Sequence, residues 1–266
     1  MVVKAISGER LTEEEAYRLM QRMMAGELSA VQMAGVLVAL RTRGETPEEI
    51  AGFARAMREA ARRVEVRRRP LLDIVGTGGD GQGTLNLSTA AALVAAAGGV
   101  AVAKHGNRAA SSRSGSADTL EALGVNLEAP PERMAEAVEE VGFGFFFARL
   151  YHPAMRHVAP VRAELKVRTV FNLLGPLTNP AGATHYLLGV FSPAWLEPMA
   201  EALKRLGAKG LLVHGEGADE LVLGENLVLE VGKGAYTLLP EEVGLKRAPL
   251  EALRGGSPEE NALLLR

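Results

Sequence analysis

From Leu71 onward the chain alternates short apolar runs with helical patterns, which restricts it to folds built on a mainly parallel sheet. The runs 71–75, 100–103, 143–147, 185–190 and 210–214 read as strands. Helical patterns fill 88–97, 117–123, 131–141 and 193–206, and Gly98-Gly99 ends the first of them. Residues 151–180 turn helical again.

The first sixty-odd residues differ. Thr12 with Glu15, Ser29 with Gln32, and Thr46 with Pro47 and Glu49 are helix starts, and Gly26 and Gly44 end the first two helices. The second helix carries Val31, Met33, Ala34, Val36, Leu37, Val38 and Leu40 around most of its circumference. One thin helical layer cannot cover so much apolar surface, so the helix is either buried against the rest of the chain or part of a subunit interface. Arg67-Arg68-Arg69-Pro70 reads as a solvated linker. The expected organisation is a helical domain over 1–66, with 162–182 packing back on it, and an α/β catalytic domain over 67–266.

Composition narrows the function. The 266 residues include no cysteine, so disulfides, thiol catalysis and cysteine-held zinc are excluded. A formal charge of −2 gives no overall field to attract nucleic acid. The N-terminus lacks a signal-like apolar core, and the run 90–103 is too short to span a bilayer, so a cytoplasmic protein without membrane contact is expected. Ser257, Pro258 and Glu260 start a last helix whose Leu263-Leu264-Leu265 need a partner, so further sequence is expected beyond Arg266.

Gly76-Thr77-Gly78-Gly79-Asp80-Gly81 follows the first strand. Glycines at this density let backbone amides approach an anion. The spacing satisfies G-x-G-x-x-G, yet a dinucleotide fold also needs a helix opening on the glycines and an acid ending the second strand. Instead residues 82–87 intervene, and Lys104 stands where the acid belongs. No Gly-Lys-Ser/Thr follows, so the nucleotide-triphosphate pattern fails too. Asn86-Leu87-Ser88-Thr89 opens the next helix and offers capped amides to a second anion.

The next strand-end segment, Lys104-His105-Gly106-Asn107-Arg108 through Ser111, Ser112 and Ser116, carries cations and hydroxyls where open α/β sheets bind ligands. Asp219-Glu220 follows the strand 210–214. Adjacent carboxylates suit Mg²⁺, which takes one or two of them together with substrate phosphates. Arg162 offers a fork that matches a carboxylate.

These segments, together with Phe171-Asn172-Leu173-Leu174-Gly175-Pro176-Leu177-Thr178-Asn179-Pro180, occur in this order in anthranilate phosphoribosyltransferases, and the chain resembles that family from its first helix to Ala262. The resemblance implies a small helical domain beside an α/β domain, a homodimer through the helical domains, and further helices past Asn261-Ala262. It implies transfer of the phosphoribosyl group of 5-phosphoribosyl 1-pyrophosphate to the amine of anthranilate, with Mg²⁺, in tryptophan biosynthesis. Gly76, Gly79, Asp80, Thr84, Asn86, Leu87, Ser88, Thr89, Lys104, Asn107, Arg108, Ser111, Ser112 and Ser116 would surround the phosphoribosyl donor. Gly76, Asn107, Arg162, His105, His152 and Pro176 would surround anthranilate. Ser88, Asp219 and Glu220 would hold the metal, and no residue stands out as a strong general base. The alternatives are a pyrimidine nucleoside phosphorylase, similar in fold and with its own Lys-His loop, and a non-catalytic relative that binds nucleic acid.

Overall fold

The computed structural model describes residues 1–78, 81–109 and 113–266. The chain opens with a short helix that its sequence did not announce, α1 (Val2–Ile6), which packs on α3. It continues through α2 (Glu13–Met24), α3 (Ala30–Arg43) and α4 (Pro47–Ala60). Each of these three starts with the capping box that its sequence encodes, so the orphan amides of the first turn are satisfied locally.

The alternating region then runs β1 (Leu71–Gly76), α5 (Leu87–Ala97), β2 (Ala101–Gly106), α6 (Ser116–Ala122), α7 (Pro131–Val141) and β3 (Phe143–Phe147). Short helices follow: α8 (Ala148–Tyr151), α9 (Ala159–Leu165) and α10 (Val170–Leu174). The chain re-enters the sheet with β4 (His185–Gly189), α11 (Leu196–Arg205) and β5 (Lys209–Gly215). A hairpin, β6 (Asn226–Glu230) and β7 (Gly234–Leu238), precedes α12 (Pro258–Leu265).

The sheet order is β3-β2-β1-β4-β5-β6-β7. Strands β3 to β5 are parallel, while β6 and β7 add an antiparallel edge. The expected mainly parallel α/β class is therefore the observed one, and the hairpin is an addition to it. The second strand also runs to Gly106 rather than stopping at Ala103, so Lys104 and His105 lie inside it.

One apolar core joins the helical layer to the sheet. It extends from Leu19, Met33 and Phe53 through Val161, Val170 and Leu174 to Met199 and Leu203 of α11 and Leu188 and Leu212 of the strands. The burial reading of α3 holds for one face of the helix. Met33, Val36, Leu37 and Leu40 are buried in this core, whereas Val31 and Val38 face outward.

Glu49 is the polar anchor of the helical layer. Its carboxylate, 0% exposed, accepts from Arg43 Nη2 (2.6 Å), Leu11 N (2.7 Å) and Thr46 N (2.9 Å). Burial alone would push its pKa up, but these donors outweigh that and hold it below the ordinary 4.5. A carboxylate with a lowered folded value stabilises the fold above the unfolded value and loses that contribution as pH falls through the folded one. Glu49→Gln should therefore cost about 3 kcal/mol at neutral pH, since it strands Arg43. In urea unfolding the gap to wild type should narrow as the pH drops below about 4.5. Equal stabilities at pH 7 would contradict this role.

Candidate active site

Strand β1 is flanked by β2 and β4, and from this point the sheet is built outward in both directions. Such a switch point leaves a crevice at the carboxyl ends of the strands, where ligands of open α/β sheets bind. Those ends here are Gly76 and Gly189, and Asp219 sits between them. A Cβ on Gly76 would lie 2.5 Å from Asp219 Oδ2, and one on Gly189 would lie 1.6 Å from the Asp219 carbonyl oxygen. Both glycines exist to admit Asp219. Its Oδ2 accepts from Gly78 N (2.6 Å), so the first glycine turn and the acidic turn are joined directly. Thr77 N donates to Gly189 O (2.9 Å), and Thr77 Oγ1 accepts from Phe191 N (3.0 Å), which closes the turn over the strand ends.

Glu220 reaches the N-terminus of α5, where its Oε1 accepts from Ser88 N (3.4 Å). Ser88 Oγ in turn accepts from Lys104 Nζ (3.3 Å), which also donates to Ile74 O (2.6 Å). Lys104 is 1% exposed. Burial pushes its ammonium below the usual lysine range, while the charges of Asp73 and Glu220 pull it back up. Asp73 is the counter-charge. It is fully buried in β1, where it accepts from His105 N (3.1 Å) and Asn179 Nδ2 (2.8 Å). Burial pushes its carboxyl up to about 6 despite Lys104 and these donors. Thr89 is also fully buried, and its hydroxyl has no hydrogen-bond partner among the described residues.

The second strand-end segment approaches the same turn. Asn107 O accepts from Ala117 N (3.2 Å) and Ser116 Oγ (3.4 Å), and a Cβ on Gly106 would fall 2.2 Å from that Oγ. Asn86 Nδ2 donates to Ser114 O (3.1 Å). Arg108 is turned elsewhere. Its guanidinium pairs with Glu121 (2.7 Å) and Asp118 (3.0 Å) on α6 rather than pointing into the crevice. Thr84 bridges to Arg254, and Leu87 N donates to Leu85 O (2.6 Å).

A second cluster forms on the helical side. His105 Nε2 and His152 Nε2 lie 3.2 Å apart. Burial pushes both rings down, His105 to about 3 and His152 to about 4, so both are neutral. Each is also held by the turn containing Pro176, His105 at the Gly175 backbone and His152 at the Thr178 backbone. Arg162, in the last turn of α9, lies with its Cζ 5.3 Å from the centroid of the Phe171 ring. Burial alone perturbs its charge and pushes it down, and no carboxylate among the described residues offsets this. Among the described residues, no hydrogen bond joins Arg162 directly to the two histidines.

Gly79, Asp80, Ser111 and Ser112 lie outside the described residues. Most of the remaining sequence-predicted positions fall into the two clusters, which are joined through adjacent Lys104 and His105 of β2, with Arg108 and Arg162 apart. Asp73 was missed as a site residue. The signal for it was a single charge within the apolar run Leu71-Leu72-Asp73-Ile74-Val75. Asn179 was visible only as part of a motif, and it ties that motif to β1 and to Ala103 O (2.7 Å).

Both parts of the chain match the glycosyl transferase family: its helical bundle domain over residues 2–61 and its a/b domain over residues 68–266. The chain is thus a member of the glycosyl transferase family. Within that class the chain belongs to the anthranilate phosphoribosyltransferases. It is 79% identical to the Thermus thermophilus enzyme of that name over 265 residues, covering 100% of this chain and 80% of the relative. It is 57% identical to the Deinococcus radiodurans enzyme, covering 97% of this chain and 78% of the relative. The crystal structure of a Thermus thermophilus anthranilate phosphoribosyltransferase superposes with a TM-score of 0.98 at 79% identity, over 100% of this chain and 80% of that one. The Saccharomyces cerevisiae enzyme in complex with PRPP and Mg gives 0.91 at 30% identity, over 99% of this chain and 78% of that one.

Steric necessity at the switch point is directly testable. Gly189→Ala forces a Cβ against the Asp219 backbone, which cannot yield as a flexible side chain would. The expected cost is about 1–3 kcal/mol in thermal unfolding, with faster hydrogen exchange at the Gly78 amide as Asp219 is displaced. Gly234→Ala, where a Cβ meets open space, is the control. Matching behaviour of the two variants would show that the close approach is unimportant.

Proposed function

We propose that this chain is a cytoplasmic enzyme that transfers the phosphoribosyl group of 5-phosphoribosyl 1-pyrophosphate to the amine of anthranilate, giving phosphoribosyl anthranilate and pyrophosphate in tryptophan biosynthesis. The observation that carries the reading is the convergence of Gly78, Ser88, Lys104, Asp219 and Glu220 on one crevice. The solved yeast relative that contains PRPP and Mg supports it.

The donor set fits Mg²⁺. Asp219, Glu220 and the Ser88 hydroxyl are hard oxygen ligands on adjacent elements, and Mg²⁺ prefers one or two carboxylates, substrate phosphates and retained waters. The ion, when bound, neutralises charge on the departing pyrophosphate, an effect of several kcal/mol. The reaction is a displacement with inversion at the anomeric carbon, through an oxocarbenium-like transition state in which the leaving group gathers negative charge. The chain meets that charge with the aligned first-turn dipoles of α5, whose amides are themselves bonded to Leu85, Asn86 and Glu220. Lys104 supports them from behind. Its ammonium fixes the Ser88 hydroxyl and brings a positive charge to a dry site.

Acceptor binding falls to Arg162. A half-buried guanidinium without an acidic partner among the described residues is ready for an incoming carboxylate, in a bond of about 1.5–3 kcal/mol. That anchor orients the amine toward the anomeric carbon. An aryl amine attacks as the neutral base, and His105 and His152 are neutral, so the polar wall beside Pro176 adds no competing cation. A nucleoside phosphorylase would have no use for Asp219 and Glu220 as metal ligands.

The wider assignments follow the same reading. Residues 1–66 form the helical domain with 162–182 packed on it, and 67–266 the catalytic one. Two chains pair through their helical domains. Exposed Val3, Ile6, Val31 and Val38 support that pairing, as does a groove of about 590 Å³ lined by Ile6, Ala34, Gly35 and Val38.

The test is anthranilate fluorescence, which should decay only when PRPP and Mg²⁺ are both present and should stop on adding EDTA. Arg162→Ala should raise KM for anthranilate about tenfold or more, with KM for PRPP little changed. Decay that persists in EDTA, or equal effects on both constants, would contradict the assigned roles.

A further inference from the structure

Residues 253–262 return to the diphosphate-binding turn. Leu85 N donates to Leu253 O (2.7 Å), Gly255 N donates to Gly83 O (2.9 Å), and Thr84 bridges to Arg254 between them. The approach is close enough that a Cβ on Gly255 would lie 2.8 Å from Thr84 O. The capping box of Ser257 and Glu260 then starts α12, and Asn261 in its first turns is 1% exposed.

The Asn261 amide is used at both ends. Its Oδ1 accepts from Gly256 N (2.8 Å), and its Nδ2 donates to Asn86 Oδ1 (2.9 Å). Asn86 Oδ1 also accepts from Thr119 Oγ1 (2.5 Å) on α6, and Asn86 Nδ2 donates to Ser114 O (3.1 Å). Ser114 Oγ and Thr119 Oγ1 are 2.7 Å apart. An amide oxygen offers two lone pairs, and both are taken. The amide of Asn86 therefore has one satisfied orientation, because a flip would set its NH₂ against the NH₂ of Asn261.

This orientation matters because of where Asn86 stands. Its carbonyl accepts from Thr89 N (3.0 Å) and Ala90 N (3.0 Å), which makes it the residue on which the first turn of α5 is built. The same turn carries Ser88, bonded to both Glu220 and Lys104.

We propose that Asn261 is a positioning residue for the phosphoribosyl donor: by holding Asn86 it sets the first turn of α5 and its register against Ser114 and α6. The proposal rests on the phosphoribosyl-transfer reading and adds a side chain, distant in sequence, that tunes donor affinity without touching the donor. Its influence stops at the diphosphate end. Among the described residues, no hydrogen bond joins Asn261 to Arg162, His105 or His152, so acceptor binding is independent of it.

Asn261→Asp keeps the acceptor for Gly256 N and replaces the donor to Asn86 with an oxygen. Steady-state kinetics on the full chain should show KM for PRPP raised about tenfold, with KM for anthranilate and kcat within about twofold of wild type. Thr119→Val removes the other donor to the same oxygen and should give the same selective rise, even if the Asn261 variant folds poorly. Thr119→Ser restores the hydroxyl and should restore KM. Unchanged constants, or equal rises for both substrates, in an active background would overturn the proposal. An inactive wild-type chain would instead sink the transfer reading, and this proposal with it.

Discussion

Asp219 sits in a gap that only glycine can leave. Its carboxylate lies against Gly76 and its carbonyl against Gly189, the last residues of the two strands at which the sheet changes direction. A side chain at either position would push the acidic turn away from the glycine turn. The hydrogen bond from Gly78 and the reach of Glu220 to Ser88 both follow from that seating. Topology thus supplies a crevice, two missing Cβ atoms make it accessible, and one backbone segment carries paired acids into it.

The crevice is also defined by charges taken out of water. Lys104 and Asp73 are both fully buried on adjacent strands, each an expense alone and acceptable as a pair with hydrogen bonds. Asn179 completes Asp73 and ties the 171–180 segment to the same strands. That segment also holds His105 and His152 through Gly175 and Thr178. The clusters around Lys104 and around His105 are therefore two faces of one polar network running across β1 and β2. Arg162 stands outside it, on a helix of the layer that shares its core with α2 to α4.

Much of this was legible in linear order. Capping boxes are local chemistry, and each marked helix starts where its residues said. The parallel strands are buried on both faces, and they read as apolar runs for that reason. The hairpin escaped because β7 is exposed along nearly its whole length, so it has no alternating inner face to detect. The apolar run that marks the second strand stops at Ala103, but the strand continues through a buried ammonium. It is permitted by Asp73, another anomaly on the preceding strand, and two such charges cancel only once the strands are side by side. Asn86 was read through its family pattern as a donor contact, while its partners Thr119 and Asn261 lie on helices that no local pattern connects to it.

On the proposed reading, the acids seated between Gly76 and Gly189 hold a divalent ion together with a sugar diphosphate. Mn²⁺ can replace Mg²⁺ as a paramagnetic reporter, and the loss of its free-ion resonance counts bound metal. Beyond the Mn²⁺ that PRPP takes up by itself, additional tight uptake should appear when wild-type protein is present with PRPP, and Asp219→Asn combined with Glu220→Gln should abolish that increment. A double variant that binds Mn²⁺ and PRPP as tightly as wild type would contradict the account.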